Sequence, residues 1–206
     1  MSAILQILPL AFVMVAGPQI LSAIFFATTE QWRSNTAAYV LGAALSISII
    51  VTLAFLLSSG ASDEGTSDDT IYYIVLALLL FGVVHTYRAR KTAEPPKWMG
   101  KLQTATPRFC FVLGFLLLGV FPSDLITSIS VGSYLSVKGD PWWHYLAFLA
   151  LTLLFLAMPS LMVLIMGKRA EAFLPKARDW MTTNSWIVNE LVLLLFVGIV
   201  ISSIAG

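Results

Sequence analysis

The chain is short of charge, of cysteine and of every motif that marks soluble chemistry. Only 11% of its residues are Asp, Glu, Lys or Arg, against about 25% in ordinary soluble domains. With 58% hydrophobic residues, a soluble fold could not cover its apolar surface with so few charges. Cys110 is the single cysteine, so neither a disulfide framework nor a CxxC redox pair can form. No Cys/His cluster, phosphate-cradling glycine loop or HExxH motif is present. Neither enzyme activity nor a cofactor or metal is therefore expected. No Lys or Arg precedes Arg33, so a cleaved signal peptide with a basic start is not expected. The net charge of +1 points to no polyanionic partner, nucleic acid included.

What is present is apolar and long. Six stretches can span a bilayer: Ala3–Phe26, Ala37–Ser59, Ile71–Tyr87, Phe109–Leu135, His144–Gly167 and Trp186–Ala205. A crossing needs about 20 residues, so the third is short and the fourth has residues to spare. Excess length fits a tilted or interrupted helix. The expected fold is all-α: one polytopic domain over 1–206, with six transmembrane helices.

The cations are unevenly spread. Arg33 lies in the first connection, and none lies in the second, Gly60–Thr70, which carries Asp63, Glu64, Asp68 and Asp69. The third connection holds Arg88, Arg90, Lys91, Lys97, Lys101 and Arg108. Lys138 is alone in the fourth, and Lys168, Arg169, Lys176 and Arg178 lie in the fifth. Odd-numbered connections share one side, and they hold eleven of the twelve cations. The positive-inside rule places that side in the cytoplasm and both termini outside, in the cytoplasmic (inner) membrane.

Two spans contain a proline beside polar residues: Gly17-Pro18-Gln19 with Ser22, and Pro122-Ser123-Asp124 with Thr127. In lipid, a proline leaves a carbonyl without its helical donor, which other protein groups or a water-lined cavity must satisfy. Each proline lies in the first span of a three-span half, 1–87 or 109–206, with the basic linker 88–108 between. Three spans per half reverse the second half relative to the first. This predicts an inverted 3+3 repeat with helices 1 and 4 broken at proline, the arrangement that marks a binding site in many carriers.

Asp124 is the costliest residue in the chain. It lies about fifteen residues into its span, roughly 22 Å along the axis, near or beyond the middle of the bilayer. An intramembrane carboxyl is a functional candidate by default. Thr127 and Ser128 share its face at i+3 and i+4. The competing structural role is a cap on the half-helix after Pro122. A substrate pathway is thus expected at Pro18, Gln19, Ser22, Pro122, Ser123, Asp124 and Thr127. Proton coupling is assigned to Asp124 and, about one turn into the sixth span, Glu190; His85 ends the third span on the same side. Both Glu190 and His85 also read as ordinary boundary residues, the first within reach of Arg88.

Other features have plainer readings. Gly42, Ser46, Ser48 and Thr52 give the second span a small, polar edge that favours close helix packing. Pro159-Ser160 suggests a kink in the fifth span. Trp142, Trp143 and Trp186 read as interface anchors. Glu94-Pro95-Pro96 prevents one continuous helix in the third connection. The fifth, Lys168–Met181, mixes Phe173, Leu174 and Trp180 with four cations; it suits a positive-inside signal and can also lie against an anionic leaflet.

Six spans in two halves, with Leu8-Pro9-Leu10-Ala11, Gly17-Pro18-Gln19, Val40-Leu41-Gly42 and Pro122-Ser123-Asp124-Leu125, resemble the LysE transporter superfamily. Within it, the chain is most similar to the GAP or Sap family, the peptidoglycolipid (sulfolipid-1) addressing proteins. The resemblance covers nearly the whole chain. It implies export or outward display of a lipid-like or small amphiphilic molecule. Amino-acid and metal-ion exporters belong to the same superfamily, and a non-transporting scaffold of a lipid-export complex is a further alternative. Thiol-electron carriers fit poorly, because Cys110 has no second cysteine with which to cycle. Membrane lipids and the cargo are the expected partners, with a second copy of the chain or a lipid-biosynthesis protein left open.

Overall fold

The computed structural model describes residues 3–15, 17–58 and 105–184, and the single positions 80, 84, 88, 102, 187, 194, 197 and 198. Seven α-helices account for most of these residues, and no strand occurs among them. They are α1 (Ala3–Val15), α2 (Pro18–Ala27), α3 (Trp32–Ser58), α4 (Pro107–Val120), α5 (Pro122–Val137), α6 (Tyr145–Met166) and α7 (Lys168–Thr183). A 3-10 turn, Trp142–His144, leads into α6.

Two unbroken helices are long and apolar enough to cross a membrane: α3, and α6 with its leading turn, Trp142–Met166. Two more candidates are bent. Helices α1 and α2 meet at 63°, and α4 and α5 at 66°. These four correspond to the first, second, fourth and fifth expected spans. The third and sixth, 71–87 and 186–205, lie almost wholly outside the described residues, as do the acidic second connection and most of 88–108. The chain is a helical membrane protein; its described part supports up to four spans.

Both breaks begin at a proline, but the preceding residue differs. Pro18 starts α2, and Gly17 before it has φ 103° and ψ −138°, a conformation that only glycine adopts without strain. Pro122 starts α5, and Phe121 before it is extended at φ −63°, ψ 128°. That is the region into which a following proline pushes its neighbour. Neither proline has an N–H to continue the preceding helix, so each opens a new helix at its first position. Helix α6 includes Pro159 without a break in its helical assignment.

Helix α3 is the central element. Asn35, Tyr39, Gly42, Ala43, Ser46, Ile47, Val51 and Ala54 are buried at helical spacing along one face. The opposite face exposes Leu41, Leu45, Ile49 and Leu53. A helix with apolar residues on both faces has lipid rather than water on the outer one. Because lipid tails are as apolar as leucine, cohesion here comes from close packing and interhelical hydrogen bonds. The approach of α3 to α4 is reciprocal. A Cβ on Gly42 would run into the Phe111 carbonyl, and one on Gly114 into the Tyr39 carbonyl. Gly119 likewise abuts the Ser46 side chain, and Gly132 on α5 abuts the Val51 carbonyl. The small-residue edge of the second span is therefore a packing seam.

Around that seam lies one core, with Met14, Phe26, Tyr39, Ile47, Leu118, Val131, Phe148 and Leu156 buried together from six helices. A smaller cluster, Ile24, Ala27, Val163, Ala170 and Leu174, fastens α7 to α2 and α6. The fifth connection is thus a docked 16-residue helix that continues past Pro175.

Candidate functional site

Each bent span delivers one polar side chain to the interior just after its proline. Gln19, in the first turn of α2, and Asp124, in the first turn of α5, are both 1% exposed. Gln19 Nε2 donates to Asp124 Oδ2, a contact 105 residues apart in sequence. The breaks make this possible, since each restarts a helix whose first turn faces the other inside the core. Ser123 Oγ lies 3.4 Å from the second carboxylate oxygen, Oδ1. From α3, Tyr39 Oη donates to the Gln19 backbone carbonyl at 3.0 Å. The Tyr39 ring packs edge-on against Phe26, with 5.1 Å between centroids.

The remaining pathway candidates divide. Ser22 Oγ donates to the Pro18 carbonyl, and Thr127 Oγ1 to the Ser123 carbonyl, each at 2.7 Å. Both hydroxyls are spent on their own helix, four residues back, in matching places in the two half-helices. Pro18 is half-buried and Pro122 exposed. Ser128, one turn beyond Asp124, is buried with no hydrogen-bond partner among the described residues. His85 and Glu190 lie outside the described residues.

Asp124 does not cap its helix. The N-cap of α5 is Phe121, which makes no side-chain cap bond, and the carboxylate turns instead to Gln19. An acid in a first turn is still favoured by the helix dipole, so both effects hold it there.

The arrangement has one unused capacity. Gln19 Oε1 is buried without a partner among the described residues, close to Gly17, where a Cβ would lie 3.3 Å from it. A charged carboxylate only accepts, and takes a proton from the Gln19 amide; a protonated one also offers an O–H, which Oε1 can accept once the amide turns over. The Gln19–Asp124 contact can thus be kept in either protonation state, with the Gln19 amide as donor to the charged carboxylate or as acceptor from the protonated one. Among the described residues, no group of three His, Cys, Asp or Glu stands close enough to hold a metal.

Sequence reasoning missed three residues that organise this interior: Asn35, Thr36 and Tyr39. Asn35 Nδ2 donates to Thr29 Oγ1 at 2.9 Å and to the Ala105 carbonyl at 3.0 Å, tying the α2–α3 turn to the segment before α4. Thr36 and Ser160 share a hydroxyl hydrogen bond of 2.5 Å between α3 and α6. Their signal was spacing: Asn35, Tyr39, Gly42 and Ser46 continue a single helical stripe. Trp142 and Trp143 are exposed before α6, and Trp142 Nε1 donates to Thr52 Oγ1 at 3.2 Å.

No curated protein and no solved structure matches the chain. The family model described as Sap, sulfolipid-1-addressing protein, matches residues 7–205, a span that contains both proline breaks and the Gln19–Asp124 pair, and the chain belongs to that family.

Proposed function

We propose that the chain is a secondary-type carrier that exports, or displays on the outer face, a lipid-like or small amphiphilic molecule at the cytoplasmic membrane. Membership of a lipid-addressing family supports a lipid-related role. The observation that carries the reading is the Gln19–Asp124 hydrogen bond, which joins the two proline-started half-helices inside the core. In this reading residues 1–87 and 109–206 are inverted halves, both termini are outside, and the pathway runs past Gln19, Ser123 and Asp124. Loss of the Gln19–Asp124 contact would let the two half-helices part, and a proton arriving at Asp124 would weaken that contact by replacing a charge-assisted hydrogen bond with a neutral one. Glu190 would serve as a second proton-handling group nearer the cytoplasm.

Purified protein in vesicles tests the proposal, with a fluorescent amphiphile as cargo and an imposed proton gradient. Wild type should move the amphiphile faster with the gradient than without it. Asp124→Asn keeps shape and still accepts from Gln19, but fixes the charge at zero; it should fold, and should lose the response to the gradient. Equal transport by both proteins at every pH would make Asp124 structural. Transport of an amino acid or metal ion in place of the amphiphile would move the cargo class. No transport by folded wild type would favour a scaffold in a lipid-export complex.

A further inference from the structure

Away from the Gln19–Asp124 pair, the outward face of α7 is a feature that the carrier reading does not use. Gly167, at φ 51°, follows the last residue of α6 and precedes the first of α7, so the two are not one continuous helix. Beyond it, α7 docks through Ala170 and Leu174 on Ile24 and Ala27, in the last turns of α2, and on Val163, near the end of α6. Both of those helices belong to membrane-crossing candidates, and both end here. A helix packed on the ends of two crossings lies at the depth where hydrocarbon gives way to headgroups and water.

The face turned away from that contact has a composition of its own. Arg169, Phe173, Lys176 and Trp180 recur at i, i+4, i+7 and i+11, which puts all four on one stripe. Phe173 and Trp180 are 54% and 53% exposed, and the two cations are exposed with them. Among the described residues, neither Arg169 nor Lys176 is in an ion pair. Asp179, at the edge of the stripe, is paired with Arg178. Water would suit the two cations but not two large rings, and hydrocarbon would suit the rings but not the cations. The boundary of a leaflet suits both.

We propose that this stripe is a contact surface for an anionic leaflet, with Arg169 and Lys176 among the headgroup phosphates and Phe173 and Trp180 at the tops of the acyl chains. Charge complementarity argues for this occupant: two unpaired cations side by side favour anionic over zwitterionic lipid through the surface field, which counts charges and needs no pocket. The six-span reading puts this connection in the cytoplasm, which makes the leaflet the inner one. The proposal goes beyond the carrier reading and does not rest on it, since a carrier and a scaffold would use the surface alike.

Site-specific quenching in the full-length protein tests it. Ala172 is exposed beside the stripe, so an Ala172→Cys variant in a Cys110→Ser background can carry an environment-sensitive fluorophore there. The labelled protein is placed in nanodiscs that contain either a phosphatidylglycerol or a phosphatidylcholine brominated high on its acyl chains, at equal mole fraction. Both lipids should quench the label, the anionic one about twofold more strongly or better. Arg169→Gln together with Lys176→Gln should bring the two lipids level. Arg169→Lys, which keeps the charge, should preserve the preference, as should Lys138→Gln, which removes a cation elsewhere. No quenching by either lipid would overturn the proposal, because water or another part of the chain would then cover the face. Equal quenching by both lipids in the parent protein would overturn it in favour of a seat without charge selectivity. An equal loss of preference in Lys138→Gln would overturn it in favour of net charge alone. The parent comparison needs no stripe variant to fold.

Discussion

At the scale of single residues, the interior is governed by what cannot be left unpaired and by what cannot be made larger. Gln19 and Asp124 satisfy each other, so removing one strands the other. Gln19→Leu should cost about 1–3 kcal/mol in thermal or denaturant unfolding in detergent, the usual penalty for a buried polar group deprived of its partner. Replacing both, Gln19→Leu with Asp124→Leu, should cost less than the two single changes added together, because no group is then stranded. Simple additivity would show that the pair is not coupled. Gly114→Ala should cost about 1–3 kcal/mol by overpacking, because the new methyl meets the Tyr39 carbonyl, a backbone atom that cannot swing aside. Unchanged stability would mean that α3 and α4 do not approach as described.

At the scale of elements, the two proline breaks were legible from the sequence because proline acts locally: it lacks an N–H wherever it lies. The partnership of Gln19 with Asp124 was not, because it depends on bends of 63° and 66° that aim two first turns at each other. The backbone bonds of the two hydroxyls at 22 and 127 were not legible for a related reason. A serine or threonine four residues after a free carbonyl can turn back to it, and polarity alone does not reveal that choice. Tyr39 was passed over because an aromatic residue in an apolar run reads as filler until its hydroxyl is seen to reach the Gln19 carbonyl. Pro159, unlike Pro18 and Pro122, lies inside a helix that continues past it. Helix α7 packs on the rest of the described fold mainly through Ala170 and Leu174. Leu174→Asp should release it, and limited trypsin digestion should then cut at Lys176 and Arg178 well before wild type is cut. Equal cleavage rates would show that other contacts hold the helix.

At the scale of the whole molecule, the six-span reading predicts an orientation from the cations, since it puts eleven of the twelve in odd-numbered connections. In a Cys110→Ser background, an impermeant thiol reagent outside the cell should label a cysteine placed at Ser67 and miss one placed at Thr104. The reverse pattern would invert the topology. The residue removed for that experiment is itself useful. Cys110 is fully buried on α4, within the core that α4 shares with α3. A thiol sealed in this way reacts only during the moments when its surroundings come apart. In the unaltered protein, the rate at which a small permeant reagent modifies Cys110 becomes a clock for how often the packed helices separate. If rocking of the halves loosens this core, the clock should run faster during amphiphile transport and slow when the vesicles are empty of cargo. A carrier would then time its own cycle through the one sulfhydryl it possesses.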